Sequence, residues 1–283
     1  MAQIPNEERR TLILTGASRG IGHATVKRFS SAGRRVISCS RQPFPEDCPW
    51  EAGPEDHIQV DLADTDDTIR AIAEMKDRLR AQGGRLNALV NNAAISPKGE
   101  GGRRLSTIET RVEDWKAVFQ INFFAPLMLA RGLMEDLAAV SGSVVNVSSI
   151  AGSRVHPFAG PAYSTSKAAL AALTREMAAD FAPHGVRVNA ISPGEIDTSI
   201  LSPGTEKLIA DIPMRRLGTP EEVAKAIYFL CTEQRRRAAH QWRPACMSRS
   251  TTNLPCLCYS GIRMAQAFNI PRRGEVERER AVT

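Results

Sequence analysis

A short β-prone apolar run, Thr11-Leu12-Ile13-Leu14-Thr15, leads straight into a glycine-rich loop, Gly16-Ala17-Ser18-Arg19-Gly20-Ile21-Gly22. A helical pattern follows, with Ile21, Ala24, Thr25 and Phe29 on one side and Gly33 at its end. Arg35-Val36-Ile37-Ser38-Cys39-Ser40 then reads as a second strand. Strand, glycine loop, helix and strand in this order open a parallel α/β sheet. They are also the context in which a glycine motif signals dinucleotide binding. Glycines allow a tight turn and close backbone approach, and the helix N-terminus offers free N–H groups and positive dipole to a pyrophosphate. Further strands are expected at 58–61, 88–90, 143–147 and 187–191, with helices at 112–137 and 220–230. This alternation predicts a doubly wound parallel sheet covered on both faces, in one domain.

A second constellation concerns proton chemistry. Tyr163 and Lys167 are four residues apart, so a helix places both on one face. A nearby cation lowers a tyrosine pKa from about 10 and makes the phenol usable near neutral pH. Alone, a Tyr–Lys pair at this spacing is more often a solvated helix face. The serine pair Ser148 and Ser149 precedes it, and the glycine loop gives it context.

The glycine spacing G-x-x-x-G-x-G, rather than G-x-G-x-x-G, resembles the short-chain dehydrogenase/reductase family. Further matches follow in order: Asn91-Asn92-Ala93-Ala94, with Ala94 where the family has Gly; Asn122 in a helix; Ser148-Ser149; Tyr163 and Lys167; and Pro193-Gly194-Glu195-Ile196-Asp197-Thr198. The likeness spans about residues 11–234, and Arg216-Leu217-Gly218-Thr219-Pro220-Glu221-Glu222 looks like the carbonyl and 3-oxoacyl-acyl-carrier-protein reductase branch.

The resemblance implies a Rossmann-like fold and reversible hydride transfer between nicotinamide and a carbonyl or secondary alcohol. It implies catalytic roles for Asn122, Ser149, Tyr163 and Lys167: proton donor for Tyr163, pKa-lowering cation and ribose ligand for Lys167, oxygen positioner for Ser149, relay residue for Asn122. Ser149 is chosen over Ser148 because the family's serine is usually second of the pair. The implied cofactor contacts are Thr15, Gly16, Ser18, Arg19, Gly20, Ile21, Gly22, Ser40, Arg41, Asp61, Leu62, Asn92, Ala93, Tyr163, Lys167, Pro193, Gly194, Ile196 and Thr198. No metal is expected. Ser40-Arg41 stand where a ribose-binding Asp would repel a 2′-phosphate, so NADP(H) is preferred and NAD(H) remains possible. Asp61 fits the adenine amino group or a helix cap, with Asp64 the better cap. The stretch 199–214 is expected to form a substrate lid. A mobile surface loop or an anion-favouring patch are the two readings of the basic stretch 97–104.

Two departures qualify the match. The spacing of 14 residues from Ser149 to Tyr163 is one longer than the family pattern, which places an insert in 153–160, at the substrate mouth. After Gln234 the family pattern stops. Residues 235–283 hold ten arginines, no lysine and three glutamates, so they carry more than the whole chain's net +6 and leave a near-neutral body. Codons for residues 240–246, read one nucleotide later, permit Ile-Asn-Gly-Gly-Gln-His, a string like the family's last strand. The tail is therefore expected to be disordered or translated out of frame, with the seventh, edge strand lost. The family's homo-oligomer is put in doubt with it.

The polar residues 1–10 read as an N-terminal extension rather than a signal peptide. With no long apolar run, the chain is expected to be cytoplasmic, with no membrane partner and its six cysteines reduced. The tail's arginines lie on no recognisable helical face, which argues against nucleic acid as a partner; the expected partner is a small carbonyl or alcohol. The alternative function is a non-enzymatic nucleotide-binding or regulatory protein descended from such a reductase.

Overall fold

The computed structural model describes residues 10–44, 53–81, 85–199, 201–202, 204–232, 257–259 and 262–265. Six strands run parallel: β1 (Arg10–Thr15), β2 (Arg35–Ser40), β3 (His57–Gln59), β4 (Arg85–Asn91), β5 (Ser143–Val147) and β6 (Arg187–Ser192). Their spatial order is β3-β2-β1-β4-β5-β6. The order therefore reverses at β1, which pairs with β2 on one side and β4 on the other. Ligands of open α/β sheets bind outside the strand carboxyl ends at such a switch point. Topology alone thus selects the place where Gly16 follows β1 and Asn92 follows β4.

The helices are α1 (Gly20–Ser30), α2 (Thr65–Ala81), α3 (Val112–Phe119), α4 (Ala125–Gly132), α5 (Met134–Ala138), α6 (Pro161–Phe181) and α7 (Pro220–Cys231). Successive residues of a strand face opposite ways. Leu12 and Leu14 accordingly join Phe29, Val145, Ile227 and Leu230 on the face covered by α1 and α7. Ile13 joins Met75, Leu79, Leu129, Leu137 and Phe181 on the other face, under α2, α4, α5 and α6. Fully burying each such side chain stabilises by roughly 1.5–3 kcal/mol. Two-sided burial is why the central strands read as apolar runs rather than as alternating ones. Among the described residues no helix is long and apolar enough to cross a membrane.

Two local expectations are corrected. The third strand ends at Gln59, and Asp61 lies in the turn beyond it. Asp64 caps α2 by accepting from the Asp66 and Asp67 amides at 2.8 and 3.2 Å. The single helix expected over 112–137 is broken: α3 passes through a π-turn, Gln120–Phe124, into α4 and then α5. Pro126 explains the break, because it has no N–H for the carbonyl four residues back, that of Asn122. Ala125 donates five residues back, to Gln120, instead.

The sheet keeps the six parallel strands expected of it, and beside β6 at its edge β7 (Leu257–Tyr259) and β8 (Ile262–Ala265) pair antiparallel with each other. β8 pairs antiparallel with β6 through Ala190–Ala265, Ile191–Met264 and Ser192–Arg263. No seventh parallel strand occurs among the described residues. The readable signal is two β-prone runs separated by a Gly-containing dipeptide, Ser260-Gly261. The rest of 235–283, and 1–9, lie outside the described residues.

Candidate active site

The nucleotide end is built at the mouth of β1. A Cβ on Gly22 would stand 1.9 Å from the Gly16 carbonyl oxygen, so only glycine lets the first turn of α1 close on the loop. α1 has no acidic residue in its first turn and no side-chain cap. Its N-terminal N–H groups and positive dipole are left for an anion. Asn92 staples this loop to β4: its Nδ2 donates to the Thr15 and Gly16 carbonyls at 3.1 and 2.9 Å. The Thr15 hydroxyl accepts from the Asn92 and Ala93 amides, both at 3.1 Å. Arg19 and Arg41 are exposed at the rim, and neither has an ion-pair partner among the described residues. The donor set suits a dinucleotide: free helix N–H groups for a pyrophosphate, with two exposed guanidiniums at the rim.

The reaction end lies where β5 meets α6. Pro161 sits in the first turn of α6, a position where its missing N–H costs nothing. Tyr163 and Lys167 follow on one face, with Lys167 Nζ 5.8 Å from the centroid of the Tyr163 ring. Lys167 is almost wholly buried and donates to the Val147 carbonyl at 2.7 Å. Burial pushes its ammonium down to about 7. The Tyr163 phenol moves up rather than down. Burial raises it most, a hydrogen bond with Ser149 lowers it, and the Glu195 carboxylate raises it. The expected lowering by Lys167 is therefore absent here, because desolvation outweighs the favourable contacts and the lysine's bond goes to Val147.

The two serines are distinguished by geometry. Ser148 is buried and donates to the Lys167 carbonyl at 2.9 Å, which anchors α6. Ser149 reaches the phenol. Asn122 is fully buried in the π-turn. Its Oδ1 accepts from the Ile95 amide at 2.9 Å, and its Nδ2 donates to the Ile95 carbonyl and the Ser166 hydroxyl at 3.1 and 3.0 Å. Its side chain is thus fully occupied, and its main-chain carbonyl is the group released by Pro126.

The loop 193–198 closes the cleft from above. Gly218 N–H donates to the Glu195 carbonyl at 2.8 Å, Asp197 N–H donates to the Gly218 carbonyl at 2.9 Å, and Ile196 bridges Gly218. A Cβ on Gly218 would meet Ile196 Cδ1 at 2.6 Å. Thr219 then caps α7 in a full capping box with Glu222, and Arg216 clamps the same carboxylate at 2.9 and 2.6 Å. The stretch from Arg216 to Glu222 therefore fastens the cofactor-side loop to a helix start.

Most of the sequence-expected residues wall one cleft of about 250 Å³; Thr15, Gly22 and Asn122 stand behind the wall. Cys39, Val60 and Ile95 also line it and were not foreseen, and Leu201 lines it from the stretch 199–214 expected as a lid. For Cys39 and Val60 the available signal was their place at strand carboxyl ends; burial pushes the Cys39 thiol up to about 12. The basic stretch 97–104 turns inward: Lys98 donates to the Phe158 carbonyl at 2.6 Å, Arg104 to the Ala159 carbonyl at 3.0 Å, and Arg103 pairs with Glu109 at 2.7 Å. Lys98 and Arg104 hold the insert. Among the described residues there is no cluster of side chains suited to a metal ion.

Residues 16–239 match the family model described as enoyl-(acyl carrier protein) reductase. Protein FixR of Bradyrhizobium diazoefficiens is 60% identical over 234 residues, covering 82% of this chain and 84% of that protein. A 3-oxoacyl-[acyl-carrier-protein] reductase of Synechocystis is 32% identical over 78% of this chain and 88% of its own length. A crystal structure of a Brucella ovis oxidoreductase of the short-chain type, in complex with a partially ordered NAD, superposes with a TM-score of 0.70. It shares 64% identity and covers 81% of this chain and 95% of that one. With the switch-point cleft, the glycine cradle and the Ser149–Tyr163–Lys167 cluster in place, the chain belongs to the short-chain dehydrogenase/reductase family of NAD(P)-dependent oxidoreductases.

Proposed function

We propose that this chain is an NADP(H)-dependent reductase, and in reverse a dehydrogenase, acting on a carbonyl or secondary alcohol. The observation that carries the reading is that Ser149, Tyr163 and Lys167 gather at one end of the cleft whose other end is the Gly16–Gly22 cradle. When bound, the nicotinamide supplies or takes up the hydride. In reduction the carbonyl carbon gains that hydride and Tyr163 gives its phenolic proton to the oxygen; in oxidation the phenolate removes the alcohol proton. A phenol held protonated by burial is in the donor form. Ser149 hydrogen-bonds the same oxygen and fixes its place. Lys167 would hold the ribose hydroxyls, and the Asn122 carbonyl would continue the proton path. Arg41 and Arg19 would take the 2′-phosphate, Asp61 and Leu62 the adenine side, and Pro193, Gly194, Ile196 and Thr198 the nicotinamide side.

Fluorescence titration with NADPH and with NADH, followed by a panel of ketones and secondary alcohols, tests this. The expected result is tighter NADPH binding and its oxidation with at least one ketone. Binding without turnover across the panel would replace the enzyme with a nucleotide-binding or regulatory protein.

A further inference from the structure

The 153–160 insert and the 193–198 loop are joined by a buried pair. His156 Nε2 and Glu195 Oε1 lie 2.5 Å apart, with both side chains under 10% exposed (9% and 8%). His156 Nδ1 accepts from the Phe158 and Ala159 amides at 3.2 and 3.1 Å. Nδ1 therefore carries no proton, and Nε2–H donates to the carboxylate. The same two insert residues are held from outside, Phe158 by Lys98 and Ala159 by Arg104, through their carbonyls. Glu195 is in turn fixed by its own backbone bond to Gly218.

We propose that His156 and Glu195 are positioning residues for the reaction at Tyr163: the pair fastens the substrate-side insert to the 193–198 loop and holds the Glu195 carboxylate within electrostatic reach of the phenol. The inference rests on the hydride-transfer reading for its purpose. A buried carboxylate is a poor route to stability alone, because taking it out of water is costly even when a neutral imidazole donates to it. What an apolar pair cannot supply is the carboxylate's field. The groups that act on the Tyr163 phenol are the Ser149 hydroxyl and the Glu195 carboxylate, while the Lys167 ammonium lies 5.8 Å from the ring centroid. Those that face Glu195 are His156, Lys98 and Tyr163. The Glu195 charge holds the proton on the phenol, which opposes the loss of the proton before substrate arrives.

Two readouts test this without turnover. The first is alkaline absorbance titration, with Tyr163 resolved from the other tyrosines by subtracting the Tyr163→Phe protein. Glu195→Gln keeps an acceptor for His156 but removes the charge, and is expected to lower the Tyr163 midpoint by about half a pH unit or more. The second is amide exchange. His156→Ala is expected to speed exchange at Phe158 and Ala159 about tenfold or more while leaving β5 protected. His156→Gln, which keeps an N–H donor, gives a second variant and an intermediate rate. An unchanged Tyr163 midpoint in Glu195→Gln, or unchanged exchange at Phe158 and Ala159 in both His156 variants, would overturn the proposal. Absence of turnover in the unaltered protein would instead sink the hydride-transfer reading and leave these two results standing.

Discussion

The Lys167 ammonium lies 5.8 Å from the centroid of the Tyr163 ring and gives its hydrogen bond to the Val147 carbonyl, not to the phenol. Lysine and tyrosine are therefore neighbours whose coupling, without ligand, is overruled by burial. Lys167 is held at about 7, well below its unfolded value of 10.5. Between those two values the unfolded chain binds more protons than the folded one, so this group makes stability rise with pH across about 7 to 10.5. Chemical denaturation of the ligand-free protein at pH 7 and 9.5 should show that gain, and Lys167→Met should lack it. Parallel behaviour of the two proteins would contradict the buried-lysine assignment.

Arg41 stands at the cleft rim where the sequence has no carboxylate. A charge-assisted hydrogen bond is worth about 1.5–3 kcal/mol, or about 10–100-fold in affinity. Arg41→Ala is expected to weaken NADPH binding by about that factor while NADH changes less than about twofold. Equal loss for both cofactors, measured by fluorescence titration, would remove the basis for the NADP(H) preference.

Thr219 caps α7 and so anchors the loop over the cleft. Thr219→Ala should cost about 1 kcal/mol, seen as a fall of about 2–4 °C in Tm. The Arg216 guanidinium and the Thr219 amide hold the Glu222 carboxyl at about 2, against an ordinary 4.5. That contribution is present above pH 4.5 and is lost as pH falls towards 2. Glu222→Gln should therefore show a shallower acid transition than the unaltered chain. Superimposable acid curves would count against the clamp.

Much of this was legible in the chain. The Thr11–Gly22 stretch sufficed for strand, loop and helix, because glycine spacing and apolar runs act locally. Ser149, Tyr163 and Lys167 carry a spacing that survives folding, since two of them share one helix. The break at Asn122 was also readable, from Pro126, but the apolar period across 112–137 masks it. The edge hairpin was signalled only by two short runs around Ser260-Gly261. The Tyr163 shift was not legible, because desolvation depends on what packs around the phenol. Nor was the His156–Glu195 pair, whose members are 39 residues apart and meet only through the fold. Sequence showed the insert's extra length and nothing of what holds it.

The central claim is that the Tyr163 phenol moves the proton in a nicotinamide hydride transfer. Its most direct test is Tyr163→Phe, assayed for ketone reduction with NADPH and, on the same sample, for NADPH binding. The account predicts turnover lowered by about 10³-fold or more, as expected when a positioned general acid is removed from a coupled cluster, with NADPH affinity within about threefold of the unaltered protein. Turnover retained in Tyr163→Phe with cofactor still bound would contradict it.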